Sequence, residues 1–383
     1  MLNMNNEDAL AIIFPNSYDA LIPELVTERL MASIPFAGRY RVVDFIISSM
    51  VHSGISNISL IAKKNYHSLM DHLGSGQEFD LARKNGGLNI VPPFAQRQIR
   101  VYSGRIEALE SIKGYLRKSR EKYVIISDCN CAFTMDFRQV IKAHKDSRAD
   151  VTMVYRKQEI PEVFSRPNSN VNQDLYYTMD IEDGRVKKIY INAKEEGEVN
   201  YAMNIYVIER EKLIDLIEDA YVHGYSYFTR DILAPQTETL NILGYEYDGY
   251  VAQITDLKSY FDENMRLLNE ENRNALFRKG NFVYTKVRDD NPTRYINGAK
   301  AKNVMVADGC VIEGEIENSI LARGVVVKKG AKVKNCILMQ DTVVEEGANI
   351  EYVITDKNVH VSANKSLTGN DSFQVYVAKN QTV

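Results

Sequence analysis

The sequence predicts an α/β protein with a second, repetitive β domain at its C-terminal end. Short apolar, β-branched runs alternate with helix-periodic segments over the first two thirds of the chain. That alternation implies a mostly parallel sheet with helices on both faces. Beyond about Pro292 the texture changes to short β-runs that recur every 17 residues. The 383 residues are enough for both parts. The expected division is 1–255 for the sheet domain, 256–291 for a helical connection and 292–383 for the repeats.

The first strand is 9–14 (ALAIIF), an apolar run with the profile of a buried strand. Residues 41–50 (RVVDFIISSM) carry apolar side chains at helical spacing, and Gly54 just beyond them is a helix-terminating glycine. A strand follows at 55–62, then a short helix at 66–73 stopped by Gly74 and Gly76, then a polar irregular stretch through Gly86-Gly87 and Pro92-Pro93. Residues 105–119 predict one helix, 123–126 a buried strand running into SDCNC, 136–147 a helix and 150–155 a strand. Strands at 175–181, 186–191 and 201–208 predict an antiparallel excursion. Helices at 211–220 and from 226 to 234, strands at 240–245 and 250–254, and one long helical pattern at 257–277 complete this part.

In the repeats, 316–321 (IENSIL), 333–338 (VKNCIL) and 350–355 (IEYVIT) match at a constant offset. So do 325–330 (VVVKKG), 342–347 (TVVEEG) and 359–364 (VHVSAN). Apolar residues step by six within a coil, as in Val327/Val333 and Leu338/Val344/Ile350. Short β-runs with a turn residue at a fixed offset predict a parallel β-helix of hexapeptide-like units, in which each coil buries its apolar side by stacking on the next. The segment after Gly369 is expected to leave the coil, with 373–378 packing back as an edge strand.

Composition narrows the function classes. The apolar fraction is 45%, the charged fraction 26% and the net charge −4, so nothing electrostatic favours nucleic acid or an anionic membrane. No apolar run approaches a membrane span, and the N-terminus lacks a signal-peptide pattern. Cys129, Cys131, Cys310 and Cys336 are irregularly spaced, which fits a reduced, cytoplasmic chain and no zinc site. His67 and His72 have no carboxylate cluster around them and are expected to be structural. Arg97, Arg100 and Arg105 are expected to form a solvated basic face.

In an α/β sheet, ligands sit at the carboxyl ends of the strands, here 15–19 and 127–131. A nucleotide phosphate is normally cradled there by glycine N–H groups and a helix N-terminus. Between Pro15 and Val26 there is no glycine. The stretch PFAGRYRVVDF at 35–45 nevertheless resembles PFGGRYRIIDF of bacterial ADP-glucose pyrophosphorylase (glucose-1-phosphate adenylyltransferase) almost letter for letter. YHSLMDHLGSG at 66–76, 104–108, TMDF at 134–137 and SYFDENM at 259–265 support the match, which covers nearly the whole chain.

The resemblance implies a nucleotidyltransferase-type sheet domain followed by a left-handed β-helix. It also places the family's substrate groups on residues that do not suit them. The glycine-rich loop falls on 14–21 (FPNSYDAL) and the phosphate-binding lysine on Met31. The two metal-side aspartates fall on Asn130 and Gln253, and the sugar-phosphate clamp on Asn192-Ala193. Asp128 lies two residues ahead of the aligned metal position. The pattern is most similar to the regulatory, non-catalytic subunit of that enzyme, which implies no catalytic residue, metal or cofactor of its own. It implies a catalytic subunit as partner in a hetero-oligomer, expected to be a tetramer, in glycogen biosynthesis. Arg29, Arg39 and Arg41 fall in the family's effector-contacting region, so a sugar-phosphate or phosphoenolpyruvate effector is expected there, against the alternative of a solvated or interfacial salt bridge. Two further readings stay open: an active nucleotidyltransferase with Asp128 as metal ligand, and an acyltransferase using His360 on the coil.

Overall fold

A computed structural model describes residues 8–92, 104–165, 176–277, 282–296 and 298–383. A nine-stranded sheet runs in the order 87–91, 57–61, 9–14, 123–128, 199–209, 151–158, 242–246, 185–191, 177–182. The strands from 87–91 to 123–128 pair in parallel. Strand Val199–Glu209 then enters antiparallel to both neighbours, and the hairpin Tyr177–Glu182/Arg185–Ile191 forms the far edge. The antiparallel excursion lies where the sequence placed it. Ala9–Phe14 is buried throughout, as the central strand of a sheet covered on both faces must be.

Two expected helices are interrupted. Residues 105–119 form Arg105–Ser111 and Lys113–Lys118, with Gly114 in the first turn of the second. Residues 257–277 form Leu257–Arg266 and Glu270–Leu276. The second break is capped by Asn269, whose Oδ1 accepts from the N–H groups of Glu271 and Asn272 at 2.8 and 3.3 Å. Val251–Gln253 leaves the main sheet and pairs with Cys131–Phe133.

In the β-helix the register reproduces the sequence period. Ile316 pairs with Val333, Val333 with Ile350 and Ile350 with Leu367, each 17 residues on. Left-handed backbone residues stack in three corner columns: Asn303/Asn318/Asn335/Tyr352, Gly309/Gly324/Asp341/Asn358/Asn380 and Gly330/Gly347/Asn364. Glycine or asparagine suits most of these corners because φ there is positive. At Gly324, where φ is 71, a Cβ would stand 2.3 Å from Asp341 Oδ1 of the next coil, so that carboxylate would have to move. The last strand, Val375–Val377, pairs in parallel with Val353–Thr355 and so caps the stack.

The two parts share a core. Ile337, Met339 and Ile354 of the coil are buried in the same apolar cluster as Phe36, Phe45 and Tyr260 of the sheet domain and its following helix. Ala37 and Gly38, at the tip of the Pro35–Phe36/Tyr40–Arg41 hairpin, bring that hairpin against Leu321 and Ile320.

Candidate functional site

At the carboxyl ends of the central strands, among the described residues, side chains crowd the space around Tyr18, and a concavity of about 340 Å³ lined by Arg156, Gln158, Gln253 and Glu263 opens beside it. The polar side chains of the loop after Ala9–Phe14 tie it to itself and to its neighbours. Asn16 Nδ2 donates to Asp19 Oδ2 at 2.8 Å, Asn16 Oδ1 accepts from Lys63 N–H at 2.7 Å, and Asp19 Oδ1 accepts from Met31 N–H at 2.8 Å. Tyr18, in the left-handed region at φ 66, turns inward and is 4% exposed. Its hydroxyl accepts from Asn204 Nδ2 at 2.7 Å. Asn204 is aimed there by a bulge between Ala202 and Ile205.

Aromatic rings fill the rest. Tyr18 meets Phe164 edge-on at 6.2 Å, Phe164 meets Tyr176 at 4.6 Å, and Tyr176 stacks on Tyr201 at 6.0 Å. The void left among Tyr18, Asn130, Arg156, Tyr201 and Gln253 measures about 10 Å³. That is room for about one water molecule and far too little for a sugar or a nucleotide.

The aligned metal positions carry neutral amides in neutral hydrogen bonds. Gln253 Oε1 accepts from Gln158 Nε2 at 2.9 Å, and Asn130 is 4% exposed with its backbone carbonyl bonded to Ile254 N–H. Asp128 turns to Arg105 at 2.5 Å and to the Ser17 hydroxyl at 2.6 Å. Arg105 also lies 4.8 Å over the Phe14 ring. Arg105 is therefore not part of a solvated face as expected; it supplies the positive charge beside Asp128 from within the fold. These residues do not suit a divalent cation, which needs anionic oxygen donors free of competing cations. Among the described residues no cluster of three metal-ligating side chains occurs. Met31 is fully buried, and Asn192 Oδ1 accepts from Tyr176 N–H at 3.0 Å, a contact across the open end of the hairpin Tyr177–Glu182/Arg185–Ile191.

A second concavity of about 500 Å³ lies between the sheet domain and the β-helix. Arg39, Arg41, Lys286, Arg288, Arg323, Lys357 and Lys379 line it, against the carboxylates Asp71 and Asp341. Arg41 donates to the carbonyl and hydroxyl of Ser68 at 2.6 and 2.9 Å. Burial lowers its proton affinity to about 10, opposed by Asp44. Burial, then Arg41 and Arg29, push the Lys357 ammonium down to about 8, opposed by Asp356. Lys286 reaches Asp71 at 3.2 Å, and Arg323 donates to the Lys286 carbonyl at 3.0 Å. These cations are partly balanced, Arg39 by Asp308 at 3.8 Å, Arg288 and Arg323 by Asp290 at 3.6 and 3.8 Å and Lys379 by Glu28 at 4.0 Å. The lining stays predominantly positive, an electrostatic setting that favours anions.

Of the expected effector residues, Arg39 and Arg41 line this cleft and Arg29 does not. Arg29 is 2% exposed, and its Nη2 contacts both carboxylate oxygens of Asp356 at 2.6 and 2.9 Å. In this structure Arg29 thus faces an internal carboxylate rather than the cleft. Arg97 and Arg100 lie outside the described residues. His72 Nε2 meets Asp44 at 2.6 Å inside the fold, a structural role, and His67 is exposed. Cys129 and Cys131 are buried free thiols. The β-helix cations were missed from the sequence, yet a signal was there. Arg323, Gln340, Lys357 and Lys379 each immediately precede a left-handed residue of one corner column, the first three at the 17-residue period.

The fold and the family models agree on a class. Residues 25–166 match the nucleotidyl transferase model, and residues 287–374 match the GlmU-like C-terminal hexapeptide model. The chain is thus a nucleotidyltransferase-type sheet domain joined to a hexapeptide β-helix. It is 35% identical over 367 residues to the glycogen biosynthesis protein GlgD of Bacillus subtilis (strain 168), covering 96% of this chain and 94% of that one. It is 34% identical to GlgD of Geobacillus stearothermophilus over 86% of this chain and 84% of that one. The glucose-1-phosphate adenylyltransferase of the same organism is 28% identical, over 85% and 83%. The chain belongs to the GlgD family of glycogen biosynthesis proteins.

Proposed function

We propose that this chain works in glycogen biosynthesis as a catalytically silent regulatory subunit of ADP-glucose pyrophosphorylase. It would associate with a catalytic subunit and alter that subunit's conversion of ATP and glucose 1-phosphate to ADP-glucose and pyrophosphate. The observation that carries the reading is the crowding at the strand ends: Tyr18, Phe164, Tyr176 and Tyr201 leave about 10 Å³, and the aligned metal ligands are Asn130 and Gln253. Nucleotidyl transfer depends on aligning and neutralising phosphates. The described residues crowd the space around Tyr18 and put amides where the resemblance places metal ligands. The adjoining concavity of about 340 Å³ by Gln253 is lined by Arg156, Glu263 and Arg266 rather than by a carboxylate pair beside Asn130. What the scaffold keeps is the hairpin at 35–41 and the cationic cleft, where a phosphorylated effector would meet Arg39 and Arg41.

The purified chain alone is expected to form no ADP-glucose. Mixed with its catalytic partner, it is expected to change turnover or the response to sugar phosphates in a pyrophosphate-release assay. Turnover by the chain alone, abolished by Asp128→Asn, would overturn the reading in favour of an active site built on Asp128. The Arg105–Asp128 ion pair disfavours that alternative, and calorimetry with ATP and Mg²⁺ separates the two.

A further inference from the structure

We propose that Asp356 sets the selectivity of the cationic cleft: its carboxylate occupies the inner anion position and confines a phosphorylated ligand to the outer cations. This rests on the reading of the cleft as an anion site.

The coil architecture does not ask for a carboxylate at this position. The residues one and two periods earlier are Ala322 and Met339, and the residue equivalent in the capping segment is Ala378. Asp356 alone in this column is charged, and it is 2% exposed. A buried ion pair is weak evidence for stability, because desolvation offsets most of the attraction. Beyond its place in the joint between the two parts, the charge at this one coil position remains to be accounted for.

What surrounds Asp356 resembles the reception of an anionic ligand. Its two oxygens accept from Arg29 Nη2 at 2.6 and 2.9 Å, from the Lys357 N–H at 2.7 Å and from the Tyr376 hydroxyl at 3.1 Å. A cation, a backbone N–H and a hydroxyl converging on oxygen are the donors a phosphate group uses. The next residue, Lys357, sends its ammonium into the cleft, near enough to Arg41 and Arg29 for the three charges to oppose one another. Arg29 does not line the cleft: it faces Asp356, whose carboxylate accepts from the backbone N–H of the cleft residue Lys357. With Asp356 in place, a ligand phosphate meets Arg39, Arg41, Arg323 and Lys286; without its charge, Arg29 becomes available as well.

The test uses the full-length chain and inorganic phosphate, followed by calorimetry. Asp356→Asn keeps the shape and removes the charge, and is expected to bind phosphate about tenfold more tightly than the unaltered chain, the worth of one added charge-assisted contact. Arg29→Met/Asp356→Leu removes both partners and is expected to bind like the unaltered chain, since neither group reaches the ligand there. Equal affinity in Asp356→Asn would overturn the proposal. So would a several-fold loss in the double variant, which would mean that Arg29 already serves the ligand. If Asp356→Asn yields no folded protein, the double variant decides the question, because replacing a buried pair by apolar side chains is commonly tolerated. Absence of phosphate binding by every form would instead overturn the anion-site reading of the cleft itself.

Discussion

Single residues here are decided by what they meet across the fold. His144, in the last turn of Phe137–Ser147, is 2% exposed, and its Nδ1 lies 2.8 Å from the Thr152 hydroxyl. Burial pushes its proton affinity down to about 4, opposed by Glu209 and Asp150. The unfolded chain takes up this proton near pH 6.5 and the folded chain does not, so stability falls as pH drops from about 6.5 toward 4. The expected slope from this one group is about 1.4 kcal/mol per pH unit. Denaturant titration at pH 7 and pH 5 measures it, and His144→Gln should flatten that part of the profile. Lys357 gives a signature of opposite kind, in binding. Its ammonium is lost above about pH 8, so sulfate, whose own charge is constant, should bind less tightly at pH 9 than at pH 7. Lys357→Arg should remove the difference, because arginine stays charged. Gly324→Ala tests the coil corner: with φ at 71 and the Asp341 carboxylate 2.3 Å from the new methyl group, a loss of about 1–3 kcal/mol in thermal or denaturant unfolding is expected.

At the scale of elements, the C-terminal segment is a lid on the β-helix rather than a loose edge. Val375–Val377 continues the sheet of the coils, and the His360 and Ser362 N–H groups donate to the Gln381 and Val383 carbonyls. A chain ending at 369 would leave Val353–Thr355 and the fully buried Val361 beside an open end, an unpaired β surface of the kind that associates. Reduced solubility, read by size-exclusion chromatography and sedimentation, is the expected outcome. The break between Leu257–Arg266 and Glu270–Leu276 has its own cause in Asn269, whose side chain supplies the second helix with its first acceptor. Asn269→Ala should cost about 1 kcal/mol without touching the cleft, a change that chemical denaturation can resolve.

For the whole molecule, the joint between sheet domain and β-helix is a packed core crossed by a buried ion pair. Phe261 lies 6.0 Å from Tyr352, and Ile337, Met339 and Ile354 complete the apolar contact begun by Phe36 and Tyr260. Two parts joined in this way should unfold together, giving one calorimetric transition rather than two. Residues 292–383 expressed alone should aggregate, because that face of the coil would be bare. The same joint shapes the cationic cleft, so any change in how the two parts pack alters the distance between Arg39 or Arg41 and the β-helix cations.

The repeat period, the strand-helix alternation, the sequence motif at 35–45 and the absence of glycine after the first strand were legible because each is a local or periodic pattern. Periodicity sets which side chains face inward before any tertiary contact is known, and backbone corners demand glycine or asparagine wherever they recur. The breaks at 112 and 267–269 were less legible, since apolar spacing continues through them and only packing and capping interrupt the helix. The partner of Arg29 stands 327 residues away, the plug draws on Tyr18, Phe164, Tyr176 and Tyr201, and Arg105 finds Asp128 across 23 residues. Such pairings depend on which surfaces come to rest against each other, a sum over the whole core that no short stretch encodes. The architecture, and the lack of glycine between Pro15 and Val26, could be read from local and periodic pattern alone. Which side chains pack around Tyr18, and that cations of two separate parts face a common cleft, follow from tertiary contacts alone, because the residues concerned lie far apart in the chain.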